Sequence, residues 1–141
     1  MKNKFTFYLL SFTWGLPLTL IGCLVSLALL IAGKKPKKYG WCWYFEVGEK
    51  WGGLEFGPVF LVNKNASDFI KTHELGHGIQ NIRYGFSMIF VVCIPSATRY
   101  LYRNIRNAMG KPCETKYYDI WFEAEANKLG SEFMSKHEAS I

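Results

Sequence analysis

The chain has 141 residues, half of them hydrophobic, and a net charge of +6, which corresponds in length to a single domain. None of its four cysteines is in C-x-x-C spacing, which excludes a zinc knuckle and a thioredoxin-type redox motif. The basic residues form no helix with interleaved aromatic side chains, so we expect no nucleic-acid partner.

Residues 5–33 form an apolar segment without one charged side chain. Because about 20 apolar residues cross the hydrocarbon core, this segment is long enough for a transmembrane helix. A cleaved signal peptide is the alternative, but its apolar region runs only about 7–15 residues, so we favour a retained anchor. Gly15 and Pro17 predict a kink after the first turns, with Tyr8 and Trp14 at the membrane interface.

A cluster of lysines directly follows the apolar segment and outnumbers the two lysines before it. The cluster consists of Lys34, Lys35, Lys37 and Lys38. Such a cluster binds anionic lipid and favours the cytoplasmic side of the membrane. We therefore expect residues 1–38 to form a membrane anchor, with a lipid bilayer as partner and the remainder of the chain in the cytoplasm.

Aromatic and β-branched residues dominate the next stretch, which predicts β-structure. We expect two strands, at residues 41–47 and 54–62, joined as a hairpin around the sequence GEKWGG. Pro58 cannot donate a ladder hydrogen bond, so the second strand should lie at an edge of the sheet.

Three further segments are predicted to be helical. Asn65 or Ser67 should cap a helix over 67–84, which ends at Gly85. An apolar segment follows at residues 86–102, bent near Pro95. After a polar loop with a short helical turn, a last helix should cover 115–134. Residues 39–135 would then form one α+β domain with 86–102 as an apolar insertion, and 136–141 would be a tail.

The first of these helices contains His73, Glu74 and His77 in the pattern H-E-x-x-H. Side chains four residues apart share one helix face, so the two imidazoles can bind one metal ion. Zinc suits neutral imidazole and acidifies water, and Glu74 is placed to take a proton from that water. The alternative is a polar helix face with two solvated histidines. Gly76 within the motif and Gly78 directly after it indicate that another backbone or a substrate approaches this helix closely.

A catalytic zinc site requires a third protein ligand. Glu123 and Glu125 lie about 200° apart on the last helix, so only one of them can face the site. Asn127 follows Glu123 by one turn and can hold a ligand histidine, which favours Glu123. Glu125 should be solvated or paired with a lysine such as Lys128. The only other histidine, His137, is expected to be exposed in the tail.

The motif THELGHGIQ followed by EAEANKLG resembles the gluzincin class of zinc metallopeptidases, in particular its small membrane-attached members. It also resembles a family of short bacterial membrane proteins with a HEYGHxxQ helix, an IPS segment and a YY…TEKWADKLG sequence. The resemblance implies His73, His77 and Glu123 as Zn²⁺ ligands and Glu74 as general base. It also implies a location in the bacterial inner membrane and an edge strand at 54–62 that binds a peptide substrate.

One residue departs from that pattern, because the aspartate that follows the third ligand in the family is Asn127 here. Its amide oxygen accepts a hydrogen bond from histidine but lacks the charge that makes an imidazole more basic. A zincin-fold membrane protein with weak or no catalysis, acting as a metal-binding or interaction module, is therefore the alternative function. A structural membrane protein without metal is a third hypothesis.

A common metal site also restricts how the chain crosses a membrane. His73, His77 and Glu123 must lie on one side of it, and residues 86–102 are too few for two crossings. This segment should therefore be re-entrant or interfacial, with a buried core helix as the alternative.

Overall fold

The structure is a computed structural model that describes residues 3–138. It has the predicted α+β class, with five α-helices and one four-stranded mixed sheet among the described residues. The elements in chain order are α1 (Lys4–Ser11), α2 (Leu16–Ile31), β1 (Lys37–Tyr39), β2 (Cys42–Glu46), β3 (Gly53–Phe56), β4 (Val59–Val62), α3 (Asp68–Tyr84), α4 (Ile94–Ala108) and α5 (Trp121–Glu138). The 3₁₀ turns at Gly85–Ser87 and Tyr117–Asp119 and a π-helical turn at Ile89–Cys93 complete the chain.

The apolar N-terminal segment forms two helices, α1 and α2, whose axes differ by 93°. This bend confirms the kink predicted at Gly15. By length and composition, no single helix in the described part of the chain suffices to span a membrane. Two bent pairs of helices are long and apolar enough to span a membrane when they are taken together. They are α1 with α2, and Asp68–Ser87 with Ile89–Ala108, the latter bent by 115°.

Helix α1 packs on the sheet through Phe7, which is fully buried beside Phe60 and Leu75. Tyr8, predicted at the membrane interface, instead donates its hydroxyl to the carbonyl of Trp41 at 2.6 Å. The first helix of the apolar segment is therefore tied to the same core as the sheet.

The sheet has the strand order β1-β2-β4-β3, and the predicted hairpin is wrong. Strand β2 pairs in parallel with β4, while β3 and β4 form an antiparallel hairpin within the stretch predicted as one strand. Pro58 lies in the turn of that hairpin, so it does not place β4 at an edge; β4 is central, and the two edge strands are β1 and β3. The glycine preceding it, Gly57, has φ +71°, which is the conformation that such a tight turn requires.

Helix α3 matches its prediction, because Ser67 caps its first turn and Gly85 ends it with φ +56°. The bend predicted near Pro95 instead follows Gly85, and Pro95 lies in the first turn of α4, where proline is tolerated. Helix α4 continues through the predicted loop to Ala108 and has no buried residue, which excludes the buried core helix for this part.

The last helix begins later than predicted and ends later. A 3₁₀ turn precedes α5, which starts at Trp121, and the helix covers the first half of the predicted tail up to Glu138. Residues 139–141, the rest of that tail, lie outside the described residues.

Helices α3 and α5 approach until their backbones touch. A Cβ atom on Gly76 would lie 1.9 Å from the carbonyl oxygen of Ala126, and one on Gly130 would lie 2.0 Å from that of Thr72. Each glycine therefore accommodates the backbone of the other helix. Gly76 thus serves the approach of another backbone, as the sequence indicated.

We predict that Gly130→Ala lowers the free energy of unfolding by about 1–3 kcal/mol, because the new methyl group must separate two packed helices. Urea denaturation measures the change. Ser131→Ala, on the exposed side of the same helix, is the matched control and should change stability by less than about 0.5 kcal/mol. Equal stability of the two variants would contradict the backbone contact.

Candidate metal centre

The three predicted ligands meet at one point between α3 and α5. His73 and His77 occupy successive turns of α3, and their Nε2 atoms lie 3.0 Å apart. Oε2 of Glu123, in the first turn of α5, lies 3.1 Å and 3.3 Å from these two nitrogens. All three side chains are buried, Glu123 completely.

Hydrogen bonds to the amide oxygens of Gln80 and Asn127 set the tautomers of both histidines. His77 Nδ1 lies 2.7 Å from Oε1 of Gln80, whose Nε2 donates to Phe122 O and to Glu125. Because these two acceptors fix the amide orientation, Gln80 presents its oxygen to His77, and Nδ1 carries the proton. Asn127 Oδ1 lies 2.9 Å from Nδ1 of His73, as the spacing of Glu123 and Asn127 predicted.

With Nδ1 of each ring facing an amide oxygen, the Nε2 atoms of both histidines face Oε2 of Glu123. That buried oxygen has no hydrogen-bond partner in the structure. The separations of 3.0–3.3 Å match the edge of a tetrahedron with ligand bonds of about 2.0–2.1 Å, which is roughly 3.3 Å. The buried group of His73, His77 and Glu123 can therefore hold a metal ion.

Burial raises the pKa of Glu123, but the two facing histidines lower it by more than burial raises it. The carboxyl group of Glu123 therefore has a pKa below its usual value. The side chain is therefore an ionised carboxylate, which is the form that binds a metal.

Glu123 is also held from its other side by two residues that the sequence analysis did not assign to the site. Ser96, in the first turn of α4, donates its hydroxyl to Oε1 of Glu123. The hydroxyl of Tyr117 lies 3.0 Å from Oγ of Ser96 and completes this chain. Burial raises the pKa of Tyr117 to about 12, so its hydroxyl stays protonated. Ser96 is the serine of the IPS segment in the family resemblance, but nothing local to that segment assigns it to the site, because the bend after Gly85 brings α4 back to it.

Glu74 lies beside the ligands and beneath the edge strand. It is 5% exposed, and a Cβ atom on Gly53 of β3 would lie 2.3 Å from its Oε1. Burial raises its pKa to about 7; His73 opposes this rise and Glu123 adds to it. Glu55, on the same strand, is a second buried carboxyl group, whose pKa is raised by burial and then by Glu74. It accepts a hydrogen bond from the backbone N–H of Gly57.

The prediction for Glu125 is wrong, because its side chain is neither solvated nor paired with Lys128. Its carboxylate binds Arg83 at 2.7 Å and the hydroxyl of Tyr84 at 2.6 Å, in addition to Gln80. It faces away from the three candidate ligands, as the helical geometry required, and it orients Gln80 by accepting a hydrogen bond from its amide nitrogen. Sequence reasoning missed this role, although Gln80 follows His77 by three residues and so shares its helix face.

The third histidine, His137, is not exposed, so that prediction is wrong. His137 is half-buried on α5, with its ring stacked on Phe133 at 5.5 Å and near Trp41 at 6.5 Å. It therefore belongs to the packing of α5, and it is not part of the metal-binding group.

No protein-family model, curated protein or solved structure matches this chain.

We predict that Glu74→Gln stabilises the metal-free protein more at pH 8 than at pH 5. The pKa of Glu74 rises from 4.5 in the unfolded chain to about 7 in the fold, so its ionisation opposes folding. The stability that protonated Glu74 contributes is fully present below pH 4.5 and is lost as the pH rises through 7. Glutamine does not ionise, so its advantage should grow by about 2–3 kcal/mol over this pH interval.

Urea unfolding in the presence of a chelator measures both proteins at both pH values. An identical difference at pH 5 and pH 8 would show that Glu74 does not titrate near neutrality in the fold.

Proposed function

We propose that the chain is a membrane-attached zinc metallopeptidase that hydrolyses peptide bonds with Glu74 as general base. The observation that carries this proposal is the convergence of two imidazole lone pairs and one carboxylate oxygen next to a buried second carboxylate. A structural role alone does not account for three buried acceptors directed at one point.

Zinc is the metal that this ligand set favours. Two histidines and one carboxylate are a common protein ligand set of catalytic zinc, which keeps a fourth position open. Calcium and magnesium prefer oxygen ligands, and only one of the three ligand atoms here is oxygen.

A bound zinc ion would polarise the scissile carbonyl and acidify the attacking water. Glu74 lies next to His73 and His77 in the same helix and is placed to remove a proton from that water. The same carboxyl group then returns the proton to the leaving amine. Gln80 and Asn127 keep the ligand histidines in the tautomer that binds a metal.

The open edge of β3 is suited to an extended peptide substrate. The hydrogen bond from Asn63 N to Gly52 O, at 3.1 Å, fixes which residues pair with β4. By alternation, the backbone groups of Gly53 and Glu55 point to the unpaired edge. A substrate strand added there passes beside Glu74, and main-chain hydrogen bonds bind it with little sequence preference.

Attachment to a membrane is supported by α2. From residue 23 to its end this helix has no buried side chain, and Leu24 and Ile31 are 68% and 80% exposed. An apolar helix exposed over these turns, followed by the lysine cluster at residues 34–38, is typical of a bilayer anchor.

A metal-binding protein without peptidase activity is the second candidate function. It is favoured by the hydrogen bond between His73 and Asn127, because a neutral amide raises the basicity of the imidazole less than an aspartate would. The two candidates differ in catalysis and share the metal ion.

We predict that detergent-purified protein contains about one zinc ion per chain and that it cleaves fluorescently labelled casein. Glu74→Gln should keep the zinc and lose at least 100-fold in cleavage rate, because it removes the base and none of the ligands. His77→Ala should lose both zinc and cleavage. His137→Ala is the control for the loss of a histidine and should lose neither.

Elemental analysis and the rate of casein cleavage decide between the candidates. Zinc without cleavage in the wild-type protein would favour the metal-binding module, and the absence of zinc after reconstitution would refute both. Equal cleavage by Glu74→Gln and wild type would remove Glu74 from the mechanism.

A further inference from the structure

The outward face of α4 and of the π-helical turn before it is an apolar stripe. From residue 94 onward its members fall within an arc of about 100° around the helix axis, as one face of a helix requires. Their exposed fractions range from 51% to 71%, and we call them the α4 stripe: Phe90, Ile94, Leu101, Tyr102, Ile105 and Met109.

The polar face of α4 is turned towards the protein. Arg99 donates to the carbonyl oxygens of Tyr117 and Lys116 at 3.2 Å and 2.9 Å, and Arg106 donates to that of Lys111 at 2.8 Å. A surface helix in water normally turns its apolar face to the core and its charges outward. Because α4 has the opposite orientation, its outward stripe requires an apolar environment.

The two exposed apolar helices, α2 and α4, start from one cluster of side chains, and we call these helices the two arms. Leu18 of α2 packs with Met88 and Val92, which precede α4. The ring of Trp14, before α2, lies 5.5 Å from that of Phe86 in an edge-to-face contact. Both arms therefore extend from the same part of the molecule.

The charges around the stripe identify an anionic surface as its partner. Helix α4 contains three arginines and no acidic residue, and the two lysines in the segment after it, Lys111 and Lys116, are balanced by Glu114 and Asp119, so residues 94–119 carry a net charge of +3. A second copy of the chain would bring like charges together at this face, whereas anionic headgroups complement them. The three arginines are only half-buried, so their charge still acts at the border of the apolar stripe, and a helix with such a stripe lies in the plane of a headgroup layer.

We propose that the α4 stripe docks on an anionic bilayer, with the helix axis in the plane of the membrane. This inference does not depend on the metal or on peptidase activity. It identifies a second membrane contact besides the α2 anchor.

Photo-crosslinking tests the docking of α4 separately from the attachment through α2. The full chain is reconstituted in vesicles of phosphatidylcholine with phosphatidylglycerol, with Leu101 replaced by p-benzoylphenylalanine. The control carries the same replacement at Asn107, which is exposed and lies about 120° from Leu101 around the helix axis. Mass spectrometry quantifies lipid adducts and protein adducts after illumination.

We expect at least fivefold more lipid adduct at position 101 than at position 107, and fewer adducts in vesicles of phosphatidylcholine alone. Adducts between two protein chains at position 101 would replace the bilayer with self-association. Equal lipid adducts at both positions, or none at position 101, would overturn the docking. Equal adducts in charged and neutral vesicles would overturn the role of anionic lipid.

A second inference concerns Ser96 and rests on the proposed metal site. Its hydroxyl donates to Oε1 of Glu123, which leaves Oε2 directed at the two imidazoles. Tyr117 orients this hydroxyl from the other side. We infer that Ser96 is a positioning residue that fixes the Glu123 carboxylate for metal binding.

Cobalt titration against a chelator measures this role in detergent-purified protein. Ser96→Ala should weaken Co²⁺ binding by about 10–100-fold and change the visible spectrum of the bound ion. Ser96→Thr retains a hydroxyl and should restore both. Ser87→Ala, which removes an exposed serine hydroxyl bonded to Tyr84 O, is the control and should change neither.

The two possible failures have different signatures. A wild-type protein that binds no Co²⁺ refutes the metal site itself and this inference with it. Wild-type affinity and spectrum in Ser96→Ala would retain the metal site and remove Ser96 from it. An equal loss in Ser87→Ala would likewise overturn the positioning role.

Discussion

The contact between the backbones of α3 and α5 is the constraint on which the candidate metal centre depends. Gly76 and Gly130 each lie against a carbonyl oxygen of the opposite helix, so neither position has room for a side chain. Only at this separation does Glu123 come within 3.1–3.3 Å of both imidazoles. The same approach brings Asn127 to His73 and Glu125 to Gln80, so one packing contact positions the ligand and the groups that orient the histidines.

The site also concentrates negative charge where water is excluded. Glu55, Glu74 and Glu123 are all buried. Burial raises the pKa of Glu55 and of Glu74, and a neighbouring carboxyl group raises each of these pKa values further. Such an arrangement is unfavourable to folding unless protons or a cation compensate for it. A divalent ion between His73, His77 and Glu123 would supply that compensation, which links the stability of the fold to the proposed function.

The parts of this architecture that the sequence predicted are local in the chain. Ser67 and Gly85 define α3, the i, i+4 spacing pairs His73 with His77, and the helical phase separates Glu123 from Glu125. The parallel pairing of β2 with β4 was missed because neither strand carries a signal for a partner that is distant in the chain. The role of Ser96 was missed for the same reason, since it depends on a bend that starts at Gly85, eleven residues earlier.

The position of α4 joins the proposed membrane surface to the metal centre. This helix has no buried residue, and its recorded hydrogen bonds to the rest of the protein run to residues 111–123. That segment leads into α5 and ends at Glu123, so a force on α4 would be transmitted to a candidate metal ligand. If the α4 stripe docks on a bilayer, the lipid surface would supply the apolar contacts that the protein core does not, and would hold Ser96 against Glu123. The histidines and the open edge of β3 belong to other elements, so a peptide could reach them without displacing α4 from the membrane.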